Sequence, residues 1–390
     1  MFLPNHPNAV TKPEFQEEIE EKYAKLLVSP APSDIHEVEA PKIHPSFGSP
    51  YVSPSFTPEE IQNHFPNRKL EEVNGDTLYS FFTPEHAHVV TKEKELACQR
   101  PHGTIIITPP DTDAVNSSLI ASTQYMYGVF NSHVTVGNTD MHKFISTPRG
   151  FLNLLKNSGQ RLYVKINGTY RLLTLPGLFE MGMNYSKWYY KLENDVLIVT
   201  SYTACHTPDL ILEVYSTQHI SYDFIVTNQM TQGPNEHISD INYEEIPHGL
   251  RFSFHTDAYK EITYDMTMPG KTFSIGNDSL FYTDKTPMDE TFLTLSLENE
   301  SQFSLVIQAG LNSLPSTPVP SYKFQEEKDN ALEYYRTLTR HFYMETVSPN
   351  QKAEILNETV WWYAHNAMIH FSMPHGLEQP GAPEIFVRGL

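Results

Sequence analysis

Five polar side chains near the C-terminus stand where chemistry could be done: His365, Asn366, His375, Glu378 and Gln379, in "WWYAHNAMIHFSMPHGLEQ". They lie in or just beyond an apolar helical stretch, and a buried polar group is costly unless it is paired. Such residues either turn toward a polar ligand in the axis of a helical bundle or satisfy the helix and its core. Both readings stand on the residues alone. His365, His370 and His375 recur five apart, a spacing that scatters them around a helix, so a metal site is not expected. HExxH, GxGxxG, GxxxxGK[ST], GxSxG and paired CxxC are all absent. Asp140 has no partner carboxylate nearby in the sequence, and no catalytic residue is assigned.

The elements that must position these residues fall into a clear order. Phe15, Ile19, Tyr23 and Leu26 recur at helical spacing behind a capping box of Thr11 and Glu14, so residues 1–28 read as a helical remnant of a preceding domain. Residues 29–56 carry six prolines between Pro30 and Pro54 and read as an extended linker or a surface-hugging arm. Thr57-Pro58-Glu59-Glu60 restarts order with an N-cap and a proline at the first helical position. From there to about residue 320 the pattern is β, with runs such as "GTIIIT", "RLYVKIN" and "VLIVTSY" and turns at Asn167-Gly168 and Asn194-Asp195. One helical patch is expected near residues 150–156. Without a repeat period, 57–320 reads as one large antiparallel β-sandwich and not a propeller. In "SKWYYKLE" the residues Trp188, Tyr189 and Tyr190 alternate across a strand, so at least one faces the core and another is a candidate stacking platform. "NSHVTVGNTDMHKFIS" reads as a polar turn between strands or a binding loop.

At residue 321 the period changes. Phe324, Ala331, Tyr335, Leu338 and Phe342 mark an amphipathic linker helix within 321–347. Ser348-Pro349 then opens a second helix whose apolar residues, Ile355 to Phe371, fall on every face, as in a helix buried all round.

Composition bounds the function. A formal charge of -20 over 390 residues argues against nucleic acid and anionic membranes, which demand clustered Lys and Arg. No apolar run approaches the roughly 20 residues of a membrane span, and the N-terminus lacks a secretory signal pattern. Cys98 and Cys205 are the only cysteines and cannot build a disulfide framework. A cytoplasmic location follows.

These stretches resemble cellobiose phosphorylase-like glycoside phosphorylases, glycoside hydrolase family ninety-four. "WWYAHNAMIHFSMPHGLEQ" is similar to the entry to that family's catalytic barrel. "YGVFNSHVTVGNTDMHKFIS", "NSGQRLYVKINGTYRLLTLPGLFEMGMNY" and "WYYKLENDVLIVTSYT" are similar to the sandwich of the branch acting on 1,2-β-linked glucans. The resemblance spans residues 1–379. It implies a super-sandwich, a linker helix, and the start of an (α/α)6 barrel at 348–379. It also implies inverting phosphorolysis of a β-glucan oligosaccharide, with inorganic phosphate as co-substrate and no other cofactor; apart from the resemblance, a homodimer stays open as a partner state. The family's general-acid Asp and phosphate ligands lie further along its barrel than this chain reaches, so the chain is expected to be an inactive fragment. The other class of reading is a carbohydrate-binding or dimerisation sandwich.

After Gln379 the family continues Gly-Gly-Ala-Ala-Trp-Gly-Thr-Arg-Asp-Val-Cys-Gln-Gly-Pro, whereas this chain has "PGAPEIFVRGL". One permitted set of codons for that tail, read one base over, spells Ala-Trp-Gly-Thr-Arg-Asp-Ile-Cys-Gln-Gly-Pro. Residues 380–390 are therefore expected to be an out-of-frame tail.

Overall fold

The computed structural model describes residues 42–98, 101–109, 119–136, 143–145, 159–230, 242–254, 261–288, 291–311, 314–315, 319–348, 350–372 and 384–385. The expected helices at 11–27 and 150–156, and most of the 380–390 tail, lie outside these residues. Contacts divide the chain into Met1–Lys42 and Ile43–Leu390, and the second unit is the one described.

Among the described residues, two large antiparallel sheets make most of the unit, and Phe371–Ser372 pairs with Glu384–Ile385 in a separate two-stranded one. The larger has eleven strands in the order Lys69–Asn74, Thr77–Phe82, His88–Thr91, Leu178–Met181, Tyr185–Lys191, Val196–Thr203, Asp209–Ser216, Gln302–Leu311, Ile262–Thr267, Gly249–Phe254 and Glu244–Ile246. The smaller runs Ser274–Gly276, Phe292–Glu300, Tyr222–Gln229, Gln160–Ile166, Val129–Val136, Ile120–Tyr125 and Gly103–Ile107, with Lys143–Ile145 and Thr169–Leu172 paired at its side. Alternation along each strand decides what goes inside. Trp188 and Tyr190 are fully buried between the sheets with Phe130, Phe179, Leu197, Leu212 and Phe224. Tyr189 points to the opposite face of the same strand, where Phe65 and His64 pack edge-on against it. At 6% exposed it offers no free face for stacking.

The Asn167-Gly168 hairpin forms as read. Both residues have positive φ, 50° and 80°, as a type I′ turn requires, and Ile166 pairs with Thr169 across it. Of the expected turn or loop, residues 131–136 and 143–145 are strand and 137–142 lie outside the described residues. Val129–Val136 is a strand with every residue buried, bulged at Ser132 and His133, where φ reaches 49°. Its polar Asn131 is satisfied inside the sandwich: Oδ1 accepts from Ser122 at 2.9 Å and from Ser201 of the larger sheet at 2.7 Å, and Nδ2 donates to Gln160 at 2.8 Å. A polar residue in that stretch marks a core hydrogen bond, not a loop.

The arm before the sandwich lies along it, with bridges from Ile43 to Tyr282, Phe47 to Tyr170 and Tyr51 to Leu173. Thr57 and Glu60 form the capping box of a short helix, Pro58–His64. After the sandwich come a lead helix, Phe324–Thr339, and a tryptophan helix, Gln351–His370. Two details of the expected helices change. Phe342 lies beyond the lead helix and is 68% exposed. The cap of the second helix is Asn350, not Ser348, because Asn350 Oδ1 accepts the Lys352 amide at 3.0 Å. No helix among the described residues is long and apolar enough to cross a membrane.

Candidate functional site

The tryptophan helix meets the sandwich along one stripe, which reaches the larger sheet near His86 and the smaller sheet where Ile369 packs on Ile107 and Ala121. Glu358, Trp361, Trp362, His365, Met368 and Ile369 stand three or four apart, which places them on a single face. The opposite face is exposed at Leu356 and Tyr363. The helix is therefore half-covered by the sandwich, not buried all round.

The sandwich presents to this stripe the turn between Thr77–Phe82 and His88–Thr91. Thr83 closes the turn: its amide donates to the Ala87 carbonyl at 2.8 Å, its carbonyl accepts the His86 amide at 3.1 Å, and its Oγ1 accepts the Ala87 amide at 3.1 Å. His86 takes the left-handed conformation at φ 64°, a region that His enters more readily than most residues. Its carbonyl accepts the Trp362 indole N–H at 3.1 Å. Its ring stacks on Trp361, with centroids 3.8 Å apart and planes 13° from parallel. Glu358, 4% exposed, receives Lys69 Nζ at 2.6 Å and faces His86 Nδ1 at 3.0 Å. Burial would raise its pKa, but hydrogen bonds from His86 and Lys69 outweigh burial and hold the carboxyl below its ordinary value.

His365 sits deeper. Its Nδ1 lies 3.3 Å from the Tyr335 hydroxyl of the lead helix, and Trp362 packs edge-on at 5.5 Å. Burial lowers its pKa to about 4, so the imidazole is neutral at physiological pH. Such a ring anchors helix to helix and does not act as an acid near pH 7. The lead helix is itself tied to the sandwich: Glu327 Oε2 accepts the Cys205 amide at 2.8 Å, and the Cys205 thiol donates to the Glu327 carbonyl at 3.2 Å. Burial, reinforced by Glu327, pushes that thiol well above its ordinary pKa, which rules it out as a thiolate nucleophile. Asn366 is exposed, while His375, Glu378 and Gln379 lie outside the described residues. Among the described residues, no cluster of three or more His, Cys, Asp or Glu is placed to hold a metal ion.

Thus, of the five residues singled out in the sequence, two are placed, one buried against protein and one outward. The residues that lock the junction, Lys69, His86 and Glu358, escaped sequence reasoning. The available signal was Glu358, an acidic residue at helical spacing from both tryptophans.

A two-sheet antiparallel sandwich of this size, followed by a helix pair docked on it, is a β-supersandwich. The family model of the glycoside phosphorylase supersandwich domain matches residues 65–309, and the chain belongs to that family. A 1,2-beta-oligoglucan phosphorylase of Listeria innocua is 33% identical over 338 residues, which are 85% of this chain and 30% of that protein. The chain thus spans about a third of the length of the relative it matches.

Proposed function

We propose that the chain is the sandwich-bearing part of an inverting phosphorylase that cleaves β-glucan oligosaccharides in the cytoplasm. The observation that carries this reading is the 33% identity to a 1,2-beta-oligoglucan phosphorylase, which extends beyond the sandwich match at 65–309. In the proposed reaction a phosphate oxygen bonds to the anomeric carbon as the glycosidic C–O bond breaks. An acid group protonates the departing oxygen, and glucose 1-phosphate leaves with a shortened glucan. One acid suffices because phosphate is the nucleophile. No residue of this chain is assigned the acid or the phosphate site, and the chain alone is proposed to be inactive. Its part is to hold the tryptophan helix, so that Asn366, His375, Glu378 and Gln379 approach the sugar while His365 anchors them from behind.

Two experiments test this. The chain is mixed with a 1,2-β-linked gluco-oligosaccharide and phosphate, and no glucose 1-phosphate is expected. Residues 65–379 are then substituted for the matching segment of the Listeria innocua protein, and phosphate-dependent release is expected to persist. Release by the chain alone overturns its assigned inactivity. A folded chimera that releases none overturns the phosphorylase reading.

A further inference from the structure

The outer face of the larger sheet carries a polar row between two apolar ones. Glu180 pairs in register with Lys187, Lys187 with Thr200, Thr200 with Glu213, and Glu213 with Ser304, so the five side chains share one face on adjacent strands. At about 4.8 Å per strand, Glu180 and Glu213 stand about 14 Å apart. On one side, Leu178, Tyr189 and Ile198 are covered by Phe56, Ile61 and Phe65. On the other, Tyr185, Tyr202, Ile211 and Val306 are covered by Val319, Tyr322 and Phe324. The polar row is the floor of a trough between these covers.

Its groups are held in place by the flanking tyrosines. Glu180 accepts from Tyr185 on Oε1 and from Tyr189 on Oε2, both at 2.6 Å, and Glu213 Oε1 accepts from Tyr202 at 2.6 Å. Three groups remain without a hydrogen-bond partner among the described residues: Lys187 Nζ, Glu213 Oε2 and the Tyr215 hydroxyl. Lys187 Nζ instead lies 4.0 Å from the centre of the Phe324 ring. Lys187, Glu213 and Tyr215 are half-buried, and burial pushes the lysine ammonium down and the Glu213 carboxyl up. Packing alone leaves a donor, an acceptor and a hydroxyl facing one trough, unused.

We propose that this trough binds a neutral short oligosaccharide, with Lys187 donating, Glu213 Oε2 accepting and the Tyr215 hydroxyl doing both. Charge selects neutrality: Glu180 and Glu213 repel an anion such as phosphate, and Lys187, with Lys328 on the same Phe324 ring and close enough to oppose its charge, repels a cation. Fixed donors and acceptors between aromatic walls suit vicinal hydroxyls on a flat ring. Glu180 and Thr200 are buried, so the half-buried stretch from Lys187 to Glu213, about 10 Å over two strand spacings, sets the reach of the site and suits a short sugar. The inference rests on the glycan-handling reading above and adds a site away from the tryptophan helix.

The test is calorimetric titration of the full chain with a 1,2-β-linked glucotriose, with inorganic phosphate as the contrasting probe. The trisaccharide is expected to bind and phosphate to give no signal. Lys187→Met keeps the aliphatic stem over Phe324, Glu213→Gln keeps an acceptor for Tyr202, and Tyr215→Phe removes one hydroxyl. The first two are expected to weaken binding at least tenfold and the third about threefold, with melting temperatures held. Absence of trisaccharide binding to the wild type, or affinity unchanged in all three folded variants, overturns the trough. Should a variant fail to fold, Tyr215→Phe alone decides it. Glucose 1-phosphate release by the chimera judges the phosphorylase reading separately, because it does not depend on these side chains.

Discussion

The imidazole of His86 lies flat on the indole of Trp361, 3.8 Å between centroids, joining a tight turn of the sandwich to a helix that follows it by more than 250 residues. The same turn offers its His86 carbonyl to Trp362 and its ring nitrogen to Glu358. One turn residue in an uncommon backbone conformation therefore meets three consecutive positions of a helical stripe. This is how the sandwich fixes where the helix ends, and hence where the residues after it begin.

Truncating Trp361 to Ala removes the stack and the apolar area around it. The indole is half-buried, so the cost should fall below the 3–5 kcal/mol of a fully buried aromatic, at about 2 kcal/mol. Hydrogen exchange across 351–370 should accelerate while the strands Tyr185–Lys191 and Val196–Thr203 keep their protection. Equal loss of protection in both regions would show that the helix is not a separately docked element.

Glu358 is the charged member of the junction. Glu358→Ala leaves Lys69 and His86 without their shared acceptor and is expected to cost about 3 kcal/mol at pH 7. Glu358→Gln keeps an acceptor and should cost less. The folded pKa of this carboxyl is lowered, so its stabilisation is present above the ordinary carboxylate value. It is lost as pH falls through the lower folded value. Urea midpoints of wild type and Glu358→Gln should therefore converge on acidification below about pH 4.5; a gap that stays constant to pH 3 would contradict the assigned ion pair.

Much of the sandwich was legible because strand alternation is a local signal. In "KWYYKLE" it sends Trp188 and Tyr190 one way and Lys187 and Tyr189 the other, and Asn167-Gly168 announces its own turn. What escaped was set by partners distant in sequence. Asn131 reads as loop-like until Ser201 and Gln160 are seen to satisfy it. His365 reads equally as ligand contact or core until Tyr335 and Trp362 close around it. Helical spacing could place Glu358 with the tryptophans, but no spacing could say that His86 would meet them.

Asn131 bridges the two sheets inside the core. Asn131→Leu preserves volume but strands the Ser122 and Ser201 hydroxyls and the Gln160 carbonyl, all buried. The expected cost is about 3 kcal/mol by urea denaturation. Adding Ser122→Ala and Ser201→Ala should recover part of it, since two of the stranded groups are then gone. No recovery would mean that the loss comes from shape and not from unsatisfied hydrogen bonds.

Acid sensitivity near neutrality should come from two histidines, one buried and one half-buried. His365 and His88 have pKa values lowered to about 4, in both cases chiefly by burial, against an ordinary value near 6.5. Between these limits the unfolded chain takes up protons that the folded chain refuses, so stability rises with pH across that window and is flat above it. For His365 the full span amounts to about 3 kcal/mol. Replacing it by Leu orphans the Tyr335 hydroxyl, so the informative variant is the double change His365→Leu and Tyr335→Phe. Its urea midpoint should fall less steeply than that of wild type from pH 7 to pH 5. An identical slope would mean that His365 titrates normally, and the closed packing around it at the junction would then be wrong.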